Sequence, residues 1–170
     1  MDEPAAWLAT RDVDQIGIVV ADLDRALAAY AELWPGHRWS CYEHGPETIP
    51  RMTFRGRPAA YSFRAAFGTQ TPQVELIQPV DGPSHYDEWL DARGDGLHHL
   101  GFLVPSLAEV VVEMSARGME PLQDGAGFGL DADGSYAYFD TTESLGMVVE
   151  AIQRPRRRSD PDYVWPPAAG

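Results

Sequence analysis

Apolar and polar positions alternate along this chain in two rounds of the same order. Val13 to Val20 is a short β-branched run closed by Ala21-Asp22 and followed by a helical pattern from Leu23 to Trp34. Leu23, Leu27, Tyr30 and Leu33 share one face of that helix, Asp22 or Asp24 can cap its start, and Pro35-Gly36 stops it. His37 to His44, Ala59 to Phe67 and Gln73 to Pro79 read as three strands, with a Pro/Arg/Gly-rich loop from Gly45 to Pro58 after the first of them. Ser84 to Gly94 reads as a short capped helix with Tyr86, Trp89 and Leu90 apolar. The pattern then restarts. Leu97 to Val104 is a strand, and Ser106 with Glu109 opens a helix whose stripe is Leu107, Val110, Val111 and Met114 and which Gly118 closes. Met119 to Leu122, Ser135 to Asp140 and Met147 to Gln153 supply three further strands.

The two rounds match in residues as well as in elements. Asp14-Gln15-Ile16-Gly17-Ile18-Val19-Val20 lies over His98-His99-Leu100-Gly101-Phe102-Leu103-Val104, and Val74-Glu75-Leu76-Ile77-Gln78 lies over Val149-Glu150-Ala151-Ile152-Gln153. The chain therefore divides into an N-terminal extension (1–12), a first βαβββ module (13–80), a linker with a short helix (81–96), a second βαβββ module (97–153) and a tail (154–170). The expected fold is α+β, with the two modules paired about a pseudo-twofold axis.

The matched polar positions carry the candidate chemistry. Gln15, Glu75, His99 and Glu150 interrupt otherwise apolar strands, where an inward carboxylate is costly unless it is paired, hydrogen-bonded or coordinated. Together they offer oxygen and nitrogen donors for one divalent ion, Mg, Mn, Co, Ni or Zn. The competing reading is that strand alternation turns them to solvent. His99 rather than His98 is the candidate, because only His99 aligns with Gln15 and neighbouring strand residues point to opposite faces; His98 reads as structural.

Composition and charge narrow the partners. The 170 residues contain 26 acidic and 13 basic side chains, a formal charge of −13 that argues against nucleic acid or an anionic membrane. No apolar run has the roughly 20 residues needed to span a bilayer, and the first twelve residues do not read as a secretory signal. The expected location is cytoplasmic, in keeping with a single cysteine, Cys41. Every basic residue is Arg, so Schiff-base and P-loop lysines are excluded. Arg51, Arg55 and Arg57 flank a loop and could meet an anionic substrate group, or simply be solvated. The tail, with Arg156-Arg157-Arg158 and Pro166-Pro167, lacks periodicity and is expected to run over the surface or a partner subunit.

These residues give the chain a resemblance to the vicinal oxygen chelate (VOC) superfamily, which includes glyoxalase I, methylmalonyl-CoA epimerase, extradiol dioxygenases and bleomycin-resistance binding proteins. The resemblance spans Val13 to Gln153. It is carried by the opening Asp14-Gln15-Ile16-Gly17, by Trp89-Leu90 leading through Gly94-Asp95-Gly96 into Leu97-His98-His99-Leu100-Gly101-Phe102, and by Val148-Val149-Glu150. It implies curled, half-barrel-like mixed sheets around a cleft holding one divalent metal, with Gln15, Glu75, His99 and Glu150 as ligands. It further implies an isomerase or lyase that abstracts a proton next to the carbonyl of a small carbonyl or thioester substrate, Glu150 serving as base and Glu75 as the alternative.

Two departures from the epimerase branch stand in the ligand set, since epimerases carry His where Gln15 stands and Gln where Glu75 stands, whereas some glyoxalase I enzymes share the Gln, Glu, His, Glu set. The strand Ala59 to Phe67 also lacks the second glutamate of the epimerases and offers only Arg64, a candidate substrate contact. The extradiol branch needs two His and one carboxylate on iron, which Gln15 does not supply. A binding or sequestering protein of the bleomycin-resistance type is the alternative function. A homodimer is the expected assembly.

Overall fold

The computed structural model describes residue 8 and residues 11–167, so the expected N-terminal extension lies largely outside the described residues. The first module runs β1 (Gln15–Val19), α1 (Leu23–Leu33), β2 (Trp39–His44), β5 (Ser62–Gly68) and β6 (Gln73–Asp81), with a hairpin of β3 (Arg51–Phe54) and β4 (Arg57–Pro58) inserted before β5. After α2 (His85–Arg93) comes the second module: β7 (Gly96–Leu103), α3 (Leu107–Ser115), β8 (Pro121–Phe128), β9 (Gly134–Phe139), a one-turn α4 (Thr142–Leu145) and β10 (Val148–Gln153). A last strand, β11 (Tyr163–Trp165), belongs to the tail.

One curled mixed sheet contains all of these strands, in the order β11-β2-β5-β6-β1-β7-β10-β9-β8-β3-β4. Within it the modules repeat each other: β2-β5-β6-β1 mirrors β8-β9-β10-β7, and the two first strands meet antiparallel at the centre. Each first strand pairs parallel with the last strand of its own module, β1 with β6 and β7 with β10. Right-handed strand twist curls such a sheet, so one face becomes concave and α1 and α3 cover the other, while α2 packs Tyr86 and Trp89 into the concave-face cluster. The covered face has two cores. Leu23 and Leu27 of α1 pack with Trp39, Cys41, Ala66 and Leu76, while Leu107, Val110 and Met114 of α3 pack with Phe102, Phe139, Val149 and Ala151. A third cluster, rich in Tyr and Phe, lines the concave face.

Local chemistry accounts for the helix boundaries. Asp22 Oδ1 accepts from the Arg25 amide at 3.0 Å, Ser84 and Ser106 cap α2 and α3 through the amides of Asp87 and Glu109, and Pro35 follows the last turn of α1. Leu33, expected inward, is 71% exposed, whereas Tyr30 beside it in the last turn still packs against Trp39 of β2.

Three segments differ from the sequence expectation. The Gly45 to Pro58 loop contains β3 and β4, which reach across to the second module, where Met52 stands opposite Gly125 on β8. β8 itself continues to Phe128, because pairing with β3 and β9 on both sides satisfies a stretch whose Gly125 and Gly127 carry no apolar signal. The tail adds β11 to the free edge of β2, Tyr163 opposite Cys41. Both outer edges that the two modules would expose are thereby covered by other parts of the chain. No helix among the described residues is long and apolar enough to cross a membrane.

Candidate metal centre

The four central strands β6-β1-β7-β10 bring all four matched polar residues together on the concave face, and all four are buried. Their register explains the convergence. Gly17 stands beside Glu75 on one side and His99 on the other, and Gly101 stands beside Gln15 and Glu150. Each glycine follows its own strand's ligand by two residues and faces the other strand's ligand. The lack of a side chain is required: a Cβ on Gly17 would stand 1.8 Å from His99 Cε1, and one on Gly101 would stand 3.0 Å from Gln15 Oε1.

Donor atoms cluster tightly. His99 Nε2 lies 3.4 Å from Glu75 Oε2 and 3.1 Å from Glu150 Oε2, without hydrogen-bond geometry to either. The inward atom of the Gln15 amide lies 3.2 Å from Glu75 Oε2 and 3.1 Å from Glu150 Oε2. Around an ion with ligands at about 2.1 Å, neighbouring donors stand about 3.0 Å apart in an octahedral and about 3.4 Å apart in a tetrahedral arrangement. The observed separations match that spacing, and the ligand atoms of Glu75, His99 and Glu150 all lie within 4.8 Å of one another. The amide of Gln15 has two tenable orientations. With its oxygen inward it opposes two carboxylate oxygens, an arrangement that a cation between them makes favourable, and its nitrogen then lies 3.5 Å from Gln73 Oε1. Turned over, the nitrogen donates to both carboxylates. The residues present therefore fit one divalent ion.

Electrostatics follow from burial and crowding. Burial raises the Glu75 carboxyl and Glu150 raises it further, while His99 pulls it down. For the His99 imidazolium, burial acts downward but the two carboxylates outweigh it and hold it at about 9. Without an ion, the cluster thus keeps a proton where an ion would otherwise sit.

Above the four donors opens a cavity of about 250 Å³ with largely aromatic walls, among them Tyr42, Phe63, Phe67, Phe128 and Tyr138. Tyr86 and Tyr138 share a hydroxyl hydrogen bond of 3.0 Å at its base, and burial raises both phenols well above their ordinary value, so they remain protonated donors. The mouth is crossed by the segment 154–162. Leu130 donates its amide to Arg157 O at 3.0 Å at one end, and Asp162 Oδ2 accepts from the Glu43 amide at 2.7 Å at the other, so the tail bridges the two modules. Arg156 and Arg157 are ion-paired outward with Asp133 and Asp131, whereas Arg154 and Arg158 line the cavity.

Arg64 is not among the residues lining this cavity. Phe63 and Phe67 of β5 face the cavity, and alternation sends Arg64 to the opposite face, where its guanidinium pairs with Asp24 of α1 at 2.9 Å and meets Tyr163. There it ties helix to sheet. Arg55 is engaged by Glu88 of α2 at 2.7 Å. The sequence reading singled out neither the two cavity arginines of the tail nor the tyrosine hydroxyls. The arginines lie in an aperiodic stretch, and Tyr86 on α2 and Tyr138 on β9 occupy positions that read as apolar core.

Comparisons with known proteins agree with this fold. The sequence profile of the Glyoxalase/Bleomycin resistance protein/Dioxygenase superfamily matches residues 14–139. Among solved structures, a hypothetical protein from Bacillus halodurans C-125 superimposes with a TM-score of 0.62 at 19% identity, over 89% of this chain and 100% of that one. Methylmalonyl-CoA epimerase from Mycobacterium tuberculosis gives 0.57 at 23% identity, over 89% and 95%. A Streptomyces coelicolor methylmalonyl-CoA epimerase variant in complex with 2-nitronate-propionyl-CoA gives 0.55 at 17% identity, over 88% and 98%. At these identities the likeness is one of fold. No curated protein is significantly similar in sequence.

Proposed function

Because the chain belongs to the Glyoxalase/Bleomycin resistance protein/Dioxygenase superfamily, we propose that it is a divalent-metal-dependent isomerase or lyase that removes a proton next to the carbonyl of a small substrate. The observation that carries this reading is the meeting of Gln15, Glu75, His99 and Glu150 at ligand spacing beneath an open cavity. A protein that only sequesters a ligand between aromatic walls has no need of two buried carboxylates at such cost.

Gln15, Glu75, His99 and Glu150 would hold the ion, which supplies Lewis acidity toward a substrate carbonyl. Glu150 is the base in this reading. It sits opposite Tyr138 on β9, at the floor of the cavity, where its carboxylate can take an α-proton from a substrate lying against the aromatic walls. Glu75 occupies the equivalent place across the pseudo-twofold axis and is the alternative base. In the Tyr86–Tyr138 pair one hydroxyl donates to the other, and the second can donate its hydrogen to an oxygen on which charge develops. The aromatic walls exclude water, which strengthens each of these interactions. At the mouth, Arg154 and Arg158 stand among Asp14, Glu43, Asp160 and Asp162, so a substrate's anionic group distant from the reacting carbon would be held by direct pairing with these guanidiniums rather than by a net positive field.

Glu43, the remaining carboxylate of β2, stands opposite Arg64 on the strand face that carries Trp39 and Cys41. Exposed and lining the cavity mouth beside Asp162, it is a carboxylate of the rim rather than of the donor cluster, which favours a one-sided or Glu75-assisted proton transfer.

The test is solvent deuterium exchange at the α-carbon of 2-oxo hemithioacetals and 2-methyl acyl thioesters, with metal-loaded protein and with Glu150→Gln. Exchange by the parent and a loss of about 10²-fold or more in the variant support the reading. Absence of exchange with every candidate by a fully loaded parent would instead support sequestration.

A further inference from the structure

His99 does not stand alone. Its Nδ1 lies 2.9 Å from Nδ1 of His98, and Nε2 of His98 lies 2.9 Å from Nδ1 of His85, so three imidazoles form a continuous buried chain from the donor cluster to α2. Adjacent residues of a regular strand point to opposite faces, which is why His98 reads as structural in the sequence. A β-bulge changes this. Gly17 pairs with His99 and Ile18 pairs with Leu97, leaving His98 as the extra residue on β7 and letting its ring turn beside that of His99. Aromatic rings then enclose His98, with Trp89 5.0 Å, Tyr86 5.5 Å and Tyr138 5.5 Å away between centroids.

We infer that His98 and His85 are positioning residues that keep the His99 proton on Nδ1 and so present Nε2 as a lone pair to the metal. The inference rests on the metal-centre reading above and adds two residues to it.

The argument is one of hydrogen counting. Each N···N contact in the chain holds one hydrogen. A lone pair at His99 Nε2 places the hydrogen on Nδ1, which donates to His98 Nδ1. His98 must then carry its own hydrogen on Nε2, which donates to His85 Nδ1, and His85 keeps its hydrogen on Nε2. One direction along the chain satisfies all three rings with the metal-binding nitrogen bare. The opposite direction would put a hydrogen on His99 Nε2, in the place of the ion. The outer end favours the first direction, because Glu88 and Asp140 place negative charge around His85, where a donor N–H is stabilised, with Arg55 and Arg93 offsetting part of it. The helix contributes too: the His85 amide donates to Gln123 Oε1 at 2.7 Å, which fixes the start of α2 against β8 and so fixes the His85 ring. Outer partners of metal-bound histidines tune affinity in this way, typically by about 10- to 100-fold.

The test compares the parent with His98→Phe, His98→Gln and His85→Phe. Three readouts are used: zinc affinity by chelator competition, the ring ¹⁵N shifts of His99 in the zinc-loaded protein, and thermal unfolding of the metal-free protein. His98→Phe suits the aromatic surroundings but removes the acceptor, and should lower zinc affinity by about 10- to 100-fold with a small change in apo Tm. His98→Gln keeps an acceptor and should recover part of the loss. His85→Phe, which perturbs only the far end, should cost several-fold at most while leaving the core of the sheet in place. In the loaded parent, ¹⁵N shifts should show the hydrogen of His99 on Nδ1, and the Nδ1 shift should move in His98→Phe as its acceptor is lost and return part-way in His98→Gln, a pattern that a merely structural role does not produce. Equal zinc affinity in parent and His98→Phe would overturn the inference while leaving the metal centre standing, whereas a hydrogen on Nε2 of His99 in the loaded protein would remove His99 from the donor set and overturn both. A parent that binds no divalent ion would overturn the metal reading and this inference with it.

Discussion

Gly17 is as necessary to the donor cluster as the residues that carry its nitrogen and oxygens, and Gly101 supports it. A methyl group on Gly17 would occupy the place of the His99 ring, since its Cβ would fall within 1.8 to 2.2 Å of three ring atoms held by His98 on the far side. Gly17→Ala should therefore abolish or weaken metal binding by at least tenfold, through displacement of His99 rather than removal of a ligand. Gly101→Ala meets Gln15 Cβ, Gln15 Oε1 and Ile152 Cδ1 at 3.0 Å and should be milder, because these contacts ask for shifts of only a few tenths of an ångström. Chelator-competition titration of both variants checks the order, and a Gly17→Ala protein that binds as tightly as its parent would show that His99 is not a ligand. Glu75→Ala should weaken metal binding strongly yet leave the fold assembled, as the apolar neighbours Leu76 and Ile77 supply the burial on β6. Removing one of two adjacent buried carboxylates also relieves repulsion, so the apo Tm of Glu75→Gln should stay close to that of the parent; a large fall would mean that Glu75 is a structural group first. The four donors are legible in the sequence because polar residues break apolar strands at matching places. The glycines opposite them are not, since nothing in one strand reveals what stands beside it, and His85 is hidden because a lone histidine gives a helix no distinct period.

Among the elements, the two βαβββ repeats are legible because each of their strands and helices carries its own period, whereas the pieces that complete the sheet do not. β4 and β11 are two and three residues long, too short for alternation to register, and they exist because long-range pairing satisfies their backbone groups. The bulge on β7 escapes sequence reading for a related reason: it is a property of the pairing between β1 and β7, not of either strand. The tail between β10 and β11 acquires its role only through the fold, which carries it across the cavity. Removing residues 154–170 should expose the edge of β2, speed amide exchange there and lower Tm, yet leave metal stoichiometry unchanged, because none of the four donors touches the tail. Within the intact tail, Arg154→Ala combined with Arg158→Ala should weaken binding of carboxylated cavity ligands about tenfold, the size of one charge-assisted hydrogen bond, while neutral analogues bind as before. Equal losses for charged and neutral ligands would instead assign the two side chains to packing.

At the scale of the whole molecule, buried histidines set an acid limit on the metal-free protein. His44 faces the cavity between Tyr42 and Phe63, its ring stacked on Tyr42 at 5.6 Å, and burial lowers it to about 4 although Asp162 of the tail acts in the opposite sense. In the unfolded chain the same ring takes up a proton near 6.5. Between those values the unfolded state binds more protons than the folded one, so stability falls as pH drops from about 6.5 toward 4. His85 and His98, also lowered by burial, add to the fall over the same range. Glu75 acts the other way: its raised carboxyl makes the folded state the better proton acceptor below neutrality, and part of the loss is offset. His99 shapes the alkaline side, for a group raised to about 9 contributes stability that is complete below 6.5 and is lost as pH climbs through 9. Thermal unfolding in chelator should accordingly show Tm declining on both sides of a neutral optimum. Replacing His44 with Phe should flatten the acid side alone, because the aromatic ring keeps its stacking and loses only its proton uptake. An acid slope identical in parent and His44→Phe would place the acid limit in the His85–His98 pair instead. Added zinc competes with the His99 proton, so the stabilisation it confers should grow from pH 6 toward 9 and the alkaline decline should disappear.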